Sequence, residues 1–248
     1  MTNRPKTPSE IENIRRSGKI LADVLRHVEK FVAPGITTAE LDDIGAAEIA
    51  RLGGKATFVG YDGFPRTMCI SVNEEIQHAI PGKRVLSEGD IVNLDCGVTY
   101  DGMITDAGIS VSVGAIAPAA QRLLNATRDA LSRGIDQVKV GNRIGDISHA
   151  VEVRLRRDGL GIVKDLAGHG VGHELHEDPS VPNFGPPHRG PILREGMTLA
   201  IEPIATLGKG AMWVKEDGWT LVTRDNSWAA QFEHTILVTD AGAEILTL

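Results

Sequence analysis

Residues 167–179, AGHGVGHELHEDP, place His169, His173 and His176 beside Glu174 and Glu177 within thirteen positions. Imidazoles and carboxylates ligate divalent cations, so the first chemistry to consider is metal binding. The spacing excludes the zinc helix H-E-x-x-H, because only Leu175 separates Glu174 from His176. Gly168, Gly170 and Gly172 interrupt the run, and glycine is poor in helix interiors. An extended or turning segment fits better, with glycine letting backbone and ligand approach closely. In an extended chain His169 and His173 share one face and His176 takes the other, unless a bend intervenes. His173 on its own reads as a surface or hydrogen-bonded residue.

Two more acids flank a turn. In NLDCGVTYDGMITDAG, Asp95 and Asp106 stand either side of Asp101-Gly102, a strong hairpin signal. With a two-residue turn Asp95 pairs with Gly108, and Asp106 lies diagonally on the same face. A turn shifted by one residue puts the two aspartates directly opposite. Either register brings both carboxylates to one small site. The plain alternative is a pair of solvent-exposed hairpin aspartates.

Glu202 in MTLAIEPI and Glu233 in AAQFEHTILV each sit in an otherwise apolar strand, where glutamate is rare without a partner. Four carboxylates and an imidazole are more than one ion uses comfortably. Two ions about 3.5–4 Å apart, bridged by carboxylates, would use them all. Such ligation favours manganese, iron(II) or cobalt over a thiolate-type zinc site.

The elements that must position these groups follow from periodicity and capping. Thr7-Pro8-Ser9-Glu10 opens a helix, with Thr7 as N-cap, Pro8 at the first position and Glu10 at the third. Ile14, Leu21, Val24, Leu25, Val28 and Val32 carry it toward Pro34-Gly35. A second helix opens at Thr37 and ends near Gly53-Gly54. β-Branched segments then run to Val113. Pro118 opens a third helix to about Val138, and residues 144–157 make a fourth. GIVKDLAG, GMTLAIEPIATLG, WTLVTRD and QFEHTILVTD read as strands, and the proline- and glycine-rich stretch 178–191 as a loop. Gly35, Leu41, Ile49 and Gly53 have counterparts 106 residues on, at Gly141, Ile147, Leu155 and Gly159. This order predicts an α+β fold. It reads as one domain over residues 1–248, with pseudo-equivalent halves at roughly 8–113 and 118–247.

Composition narrows the function. The 248 residues carry a net charge of −7, which argues against a nucleic-acid or anionic-membrane surface. The N-terminus has no apolar core of a secretory leader, and no apolar run approaches membrane-spanning length. Cys69 and Cys96 are the only cysteines, which suits a reducing cytoplasm better than a disulfide scaffold.

Asp95, Asp106, His169, Glu202 and Glu233 occur in the order and local context of the dimetal ligands of methionine aminopeptidases. CISVNEEIQHAIPG, DGMITDAG, AGHGVG, LAIEPI and QFEHTILVTDAGAEILT all resemble that family, and the likeness runs from about residue 8 to 247. It implies the pseudo-symmetric pita-bread fold, an antiparallel sheet covered by two pairs of helices. Only residues 177–201 separate His176 from Glu202, with no room for the helical insertion of type II members. The N-terminus also lacks a zinc-finger extension, so the resemblance is to the short bacterial type I form.

The resemblance further implies two divalent ions per chain (cobalt, manganese, iron(II), zinc or nickel). Asp95 would chelate one, Asp106 and Glu233 bridge both, and His169 and Glu202 bind the other. It implies removal of N-terminal methionine from nascent proteins and peptides with a small second residue, by attack of a metal-bridging water on the first peptide bond. Glu202 would accept the proton, His78 would lie near the scissile amide, and His176 would polarise its carbonyl. Tyr61, Phe64, Cys69 and Trp219 fall where the family lines its methionine pocket, and Leu175 stands where bacterial members often carry phenylalanine. A cytoplasmic monomer in transient contact with the ribosome completes the expectation. The rivals are an aminopeptidase P or prolidase, which usually adds an N-terminal domain, and a non-enzymatic module of the same fold, which typically lacks some ligands.

Overall fold

The computed structural model describes residues 4–248. Four helices form where capping and periodicity place them: α1 (Pro8–Glu29), α2 (Thr38–Arg51), α3 (Pro118–Ile135) and α4 (Ile144–Arg157). Thr7 and Thr37 each close a full capping box, with Glu10 and Glu40 reaching back to the cap backbone. The first helix stops at Glu29, short of the proline, and a turn carries the chain to Gly35.

The strands of the first half are β1 (Lys55–Ala56), β2 (Met68–Val72), β3 (Glu75–Gln77), β4 (Ile91–Tyr100) and β5 (Met103–Ser112). Those of the second are β6 (Gly161–Ile162), β7 (Ala167–Gly170), β8 (Glu177–Pro182), β9 (Thr198–Ile201), β10 (Ile204–Thr206), β11 (Met212–Val214), β12 (Leu221–Thr223), β13 (Ala229–Gln231), β14 (His234–Thr239) and β15 (Gly242–Ile245). All pairings are antiparallel. One sheet runs β1-β4-β2 with β5 on β4, and the largest runs β15-β14-β9-β7-β8.

One expectation fails here. The stretch read as a loop from 178 begins as β8, with Glu177, Pro179 and Val181 buried in alternation. β8 is the outermost strand of its sheet, where proline is tolerated because no ladder donor is lost inward.

The echo at 106 residues has a physical basis. Gly35 and Gly141 follow equivalent helices at φ +97° and +92°, and Gly53 and Gly159 stand at +80° and +68°. These left-handed conformations favour glycine. Leu41 and Ile147 are both fully buried, one in each of two cores. The first core lies between α1, α2 and the β4–β5 hairpin; the second lies between α3, α4 and the sheet around β9.

The halves meet through the pairing of β3 with β12 and again at the centre of the molecule. Gly108 of β5 bridges to Glu233, whose N–H donates to the Gly108 carbonyl at 2.8 Å. Among the described residues no helix is long and apolar enough to cross a membrane.

Candidate active site

The hairpin adopts the two-residue register. Asp101 and Gly102 have φ +46° and +78°, as a type I′ turn requires. Asp95 pairs with Gly108 and Gly97 with Asp106, so the aspartates lie diagonally on one face. Gly108 then bridges to Glu233, which sets Asp95 of β4, Gly108 of β5 and Glu233, between β13 and β14, in one row. A second row forms alongside. The Thr235 hydroxyl accepts from the Asp106 N–H at 2.9 Å and donates to its carbonyl at 2.7 Å. Thr235 pairs with Ala200, and Ala200 with His169. Glu202 follows two residues after Ala200. Sheet register thus brings all five sequence-predicted ligands to one place.

These side chains are buried, and Asp106, His169 and Glu233 offer donor atoms all within 4.8 Å of one another. His169 Nδ1–H donates to the Gly170 carbonyl at 2.9 Å. That tautomer turns the Nε2 lone pair inward, 3.6 Å from Glu202 Oε1 and 3.9 Å from Asp106 Oδ2. Burial, then the neighbouring His176, pushes the His169 pKa down to about 3, so the ring is neutral and able to ligate.

The acids move the other way. Burial raises Asp95 to about 7. Burial, then Asp95, raises Glu202 to about 8. Asp106 and Glu233 are driven well above the ordinary carboxylate range by burial and by the other acids. Among the described residues Asp95 Oδ1, Asp106 Oδ1 and Glu233 Oε1 are buried without a hydrogen-bond partner. Orphaned carboxylate oxygens are costly unless a cation satisfies them. The residues therefore fit divalent metal.

The cage opens into a cleft of about 520 Å³, counting its open mouth. Phe58, Phe64, Cys69 and Leu175 form its buried apolar wall, with Tyr61 and Trp219 packed against them. The Phe64 ring meets Trp219 edge-on at 5.1 Å, and Cys69 pairs across the strands with Asp95. All four sequence-predicted pocket residues line the cleft, as do His78 and His176. His78 has φ +57°, a strained conformation for a non-glycine residue beside a site. Burial, then His176, pushes its pKa down to about 4.

A bend decides the histidines. Gly172 has φ +144°, and the chain turns between β7 and β8. His176 is thereby returned to the His169 side, their rings 4.4 Å apart, with His176 Nδ1 2.7 Å from the Tyr61 hydroxyl. His173 points away and bonds Glu10 at 2.8 Å.

Three supporting residues were missed in the sequence. Gln231 Nε2 donates to Glu233 Oε2 at 3.0 Å, and Gln77 Nε2 to Glu202 Oε2 at 3.2 Å. Strand alternation points to Gln231, two residues before Glu233; nothing local points to Gln77. The third is Glu177, buried against Lys6 at 2.9 Å.

Buried acids around a ligating imidazole, at the foot of an apolar cleft, describe a metallopeptidase. The chain matches the description "Metallopeptidase family M24" over residues 12–240 and belongs to that family. It is 44% identical over 244 residues to the methionine aminopeptidase of Clostridium acetobutylicum, covering 98% of each chain, and 42% identical to methionine aminopeptidase 1 of Bacillus subtilis at the same coverage. Among solved structures, the methionine aminopeptidase of Thermotoga maritima superposes with a TM-score of 0.98 at 46% identity, covering 99% of both chains. Prolidase from Pyrococcus furiosus, 21% identical, shares the fold at a TM-score of 0.81 over 99% of this chain and 66% of its own. The architecture is the α+β pita-bread fold expected from the sequence.

Proposed function

We propose that the chain is a type I methionine aminopeptidase, removing N-terminal methionine from peptides and nascent proteins with a small second residue. The observation that carries this is the convergence of unpartnered, buried carboxylate oxygens with His169 Nε2 at the foot of an apolar cleft. Asp95, Asp106, His169, Glu202 and Glu233 would hold two divalent ions. When bound, such ions lower the pKa of water from ~15.7 toward ~7 and polarise a peptide carbonyl.

The chain's own groups do the rest. Tyr61, Phe64, Cys69 and Trp219 contact an unbranched thioether, which sulfur and aromatic edges suit. With the Tyr61 hydroxyl donating to Nδ1, His176 carries its proton on Nε2 and donates to the carbonyl oxygen as charge develops there. Burial lowers the His176 pKa, keeping the ring a neutral donor. His78, also neutral, lies by the scissile amide. Glu202, oriented by Gln77, accepts the proton of the attacking water.

The test is amine release from Met-Ala-Ser and from Ala-Pro-Ala by protein stripped with chelator and reloaded with single metals. Methionine release from the first peptide alone is expected. Cleavage of only the second would replace this reading with an aminopeptidase P, and absence of any divalent-ion binding would leave a non-enzymatic module.

A further inference from the structure

The segment that precedes α1 reaches across the molecule to the turn that carries His176. Lys6 Nζ lies 2.9 Å from Glu177 Oε2, with the two side chains 0% and 2% exposed. The other oxygen of Glu177 accepts the His173 N–H at 2.6 Å and the Glu174 N–H at 3.1 Å, closing residues 173–177 into a ring. Burial alone would raise the Glu177 carboxyl; Lys6 and the two amides hold it below its ordinary value. Glu10, anchored in the α1 capping box, takes a second hold through His173 Nε2 at 2.8 Å. The Lys6 stem packs on Gly172, where a Cβ would collide with Lys6 Cε. Lys6 is itself pinned, its N–H donating to the Gly196 carbonyl at 2.8 Å. The ring so held presents Leu175 to the pocket wall and His176 to Tyr61.

A buried ion pair between residues 171 apart is an expensive way to add stability, since desolvation offsets most of the attraction. It does define a single arrangement. We infer that residues 4–10 form a strap that positions His176, with Lys6 and Glu177 as its positioning residues and the Glu10–His173 contact as a second tie. This rests on the methionine aminopeptidase reading of the cleft. None of these four side chains lines the cleft. The strap therefore acts on the rate of the step His176 assists, rather than on methionine binding.

The experiment compares wild type, Lys6→Met, and Lys6→Met with Glu177→Gln. The double change removes both buried charges and keeps the oxygen that accepts the two amides. Three quantities are measured: bound metal, kcat and KM on Met-Ala-Ser, and hydrogen exchange of the His173 and Glu174 amides. A misplacement near 1 Å costs about 10²-fold. Lys6→Met is expected to lose about 10–100-fold in kcat, with KM within about threefold, metal content unchanged and both amides exchanging faster. The double variant should recover part of the kcat and of the protection. A folded Lys6→Met with kcat within about twofold of wild type, a loss confined to KM, or a double variant no better than the single overturns the strap. If Lys6→Met does not fold, His173→Ala decides, since it removes the ring's contacts with Glu10 and Arg4 of the strap and leaves the Lys6–Glu177 pair in place: unchanged kcat and unchanged Glu174 exchange overturn the proposal, and a fall in kcat alone supports it. A wild type that releases no methionine removes the functional reading instead. The strap is then judged by exchange, and unaltered protection in Lys6→Met overturns it.

Discussion

The two halves share a scaffold and differ in how they deliver chemistry. Each has a helix pair closed by positive-φ glycines over its own core. The first half supplies Asp95 and Asp106 from one hairpin, set by a single tight turn. The second supplies His169 from β7, Glu202 from just beyond β9, and Glu233 from between β13 and β14. Local geometry suffices for the first pair; the other three depend on register across several strands. The frame that holds the ligands is similar in the two halves, and each places its own donors on it.

The sharpest way to break the symmetry of roles is to remove one ligand from each half. Asp106→Asn and Glu233→Gln should each lose about 10³-fold or more in kcat/KM, since several kcal/mol of transition-state charge stabilisation go with the cation. Both should also bind less metal by elemental analysis. Full activity in either, at full metal loading, would remove that residue from the site.

His176→Ala tests the residue that the bend returned to the cleft. Loss of one such donor costs about 10²–10³-fold in kcat. Single-turnover kinetics on Met-Ala-Ser should place the loss in chemistry and not in binding.

Gln231→Leu probes the junction between halves. Gln231 donates to Glu233, and a Cβ on Gly108 would meet its Oε1 at 2.9 Å. A supporting contact of this kind is worth about 10–100-fold in metal affinity. Titration calorimetry with manganese should show that weakening in Gln231→Leu, and in Gly108→Ala to a smaller extent. Unchanged affinity in both would mean the junction holds Glu233 by backbone alone.

The smallest effect is on stability against pH. In metal-free protein Asp95 and Glu202 titrate near 7 and 8, far above their unfolded values. Groups with raised pKa stabilise the fold at low pH and lose that contribution as pH rises through the folded value. His78, His169 and His234 are pushed to about 4, 3 and 4, so they oppose this trend only below about pH 6.5. From about pH 7 to about pH 8 the acids alone set the slope. The stripped protein should lose on the order of 1 kcal/mol through Glu202 over that unit, and less through Asp95, which is already half ionised at its lower end. Urea midpoints with chelator should fall across the interval, and added divalent ions should flatten the curve. A midpoint that rises in chelator would show that the acids are not close-packed.

How much was legible can be read residue by residue. Thr7, Thr37 and Pro118 mark helix starts because capping is local chemistry. Asp101-Gly102 dictates its turn through φ alone. Glu202 and Glu233 betray themselves by charge within apolar segments, although the structure sets them not inside strands, as expected, but just beyond β9 and between β13 and β14. The β8 strand escaped because Pro179 and Pro182 look like loop residues, and only the edge position makes them acceptable. Lys6 and Glu177 gave no local sign, since their meaning lies in a partner 171 residues away.

Residue type and short-range backbone preference thus determined by themselves which groups could ligate and which segments would be helix, hairpin or turn. Tertiary structure alone decided that Gly108 should meet Glu233, that His176 and not His173 should face His169, and that Gln77, Gln231 and Lys6 should serve the site. Those outcomes depend on sheet register and on the burial of charge, and both arise only when distant segments exclude water together.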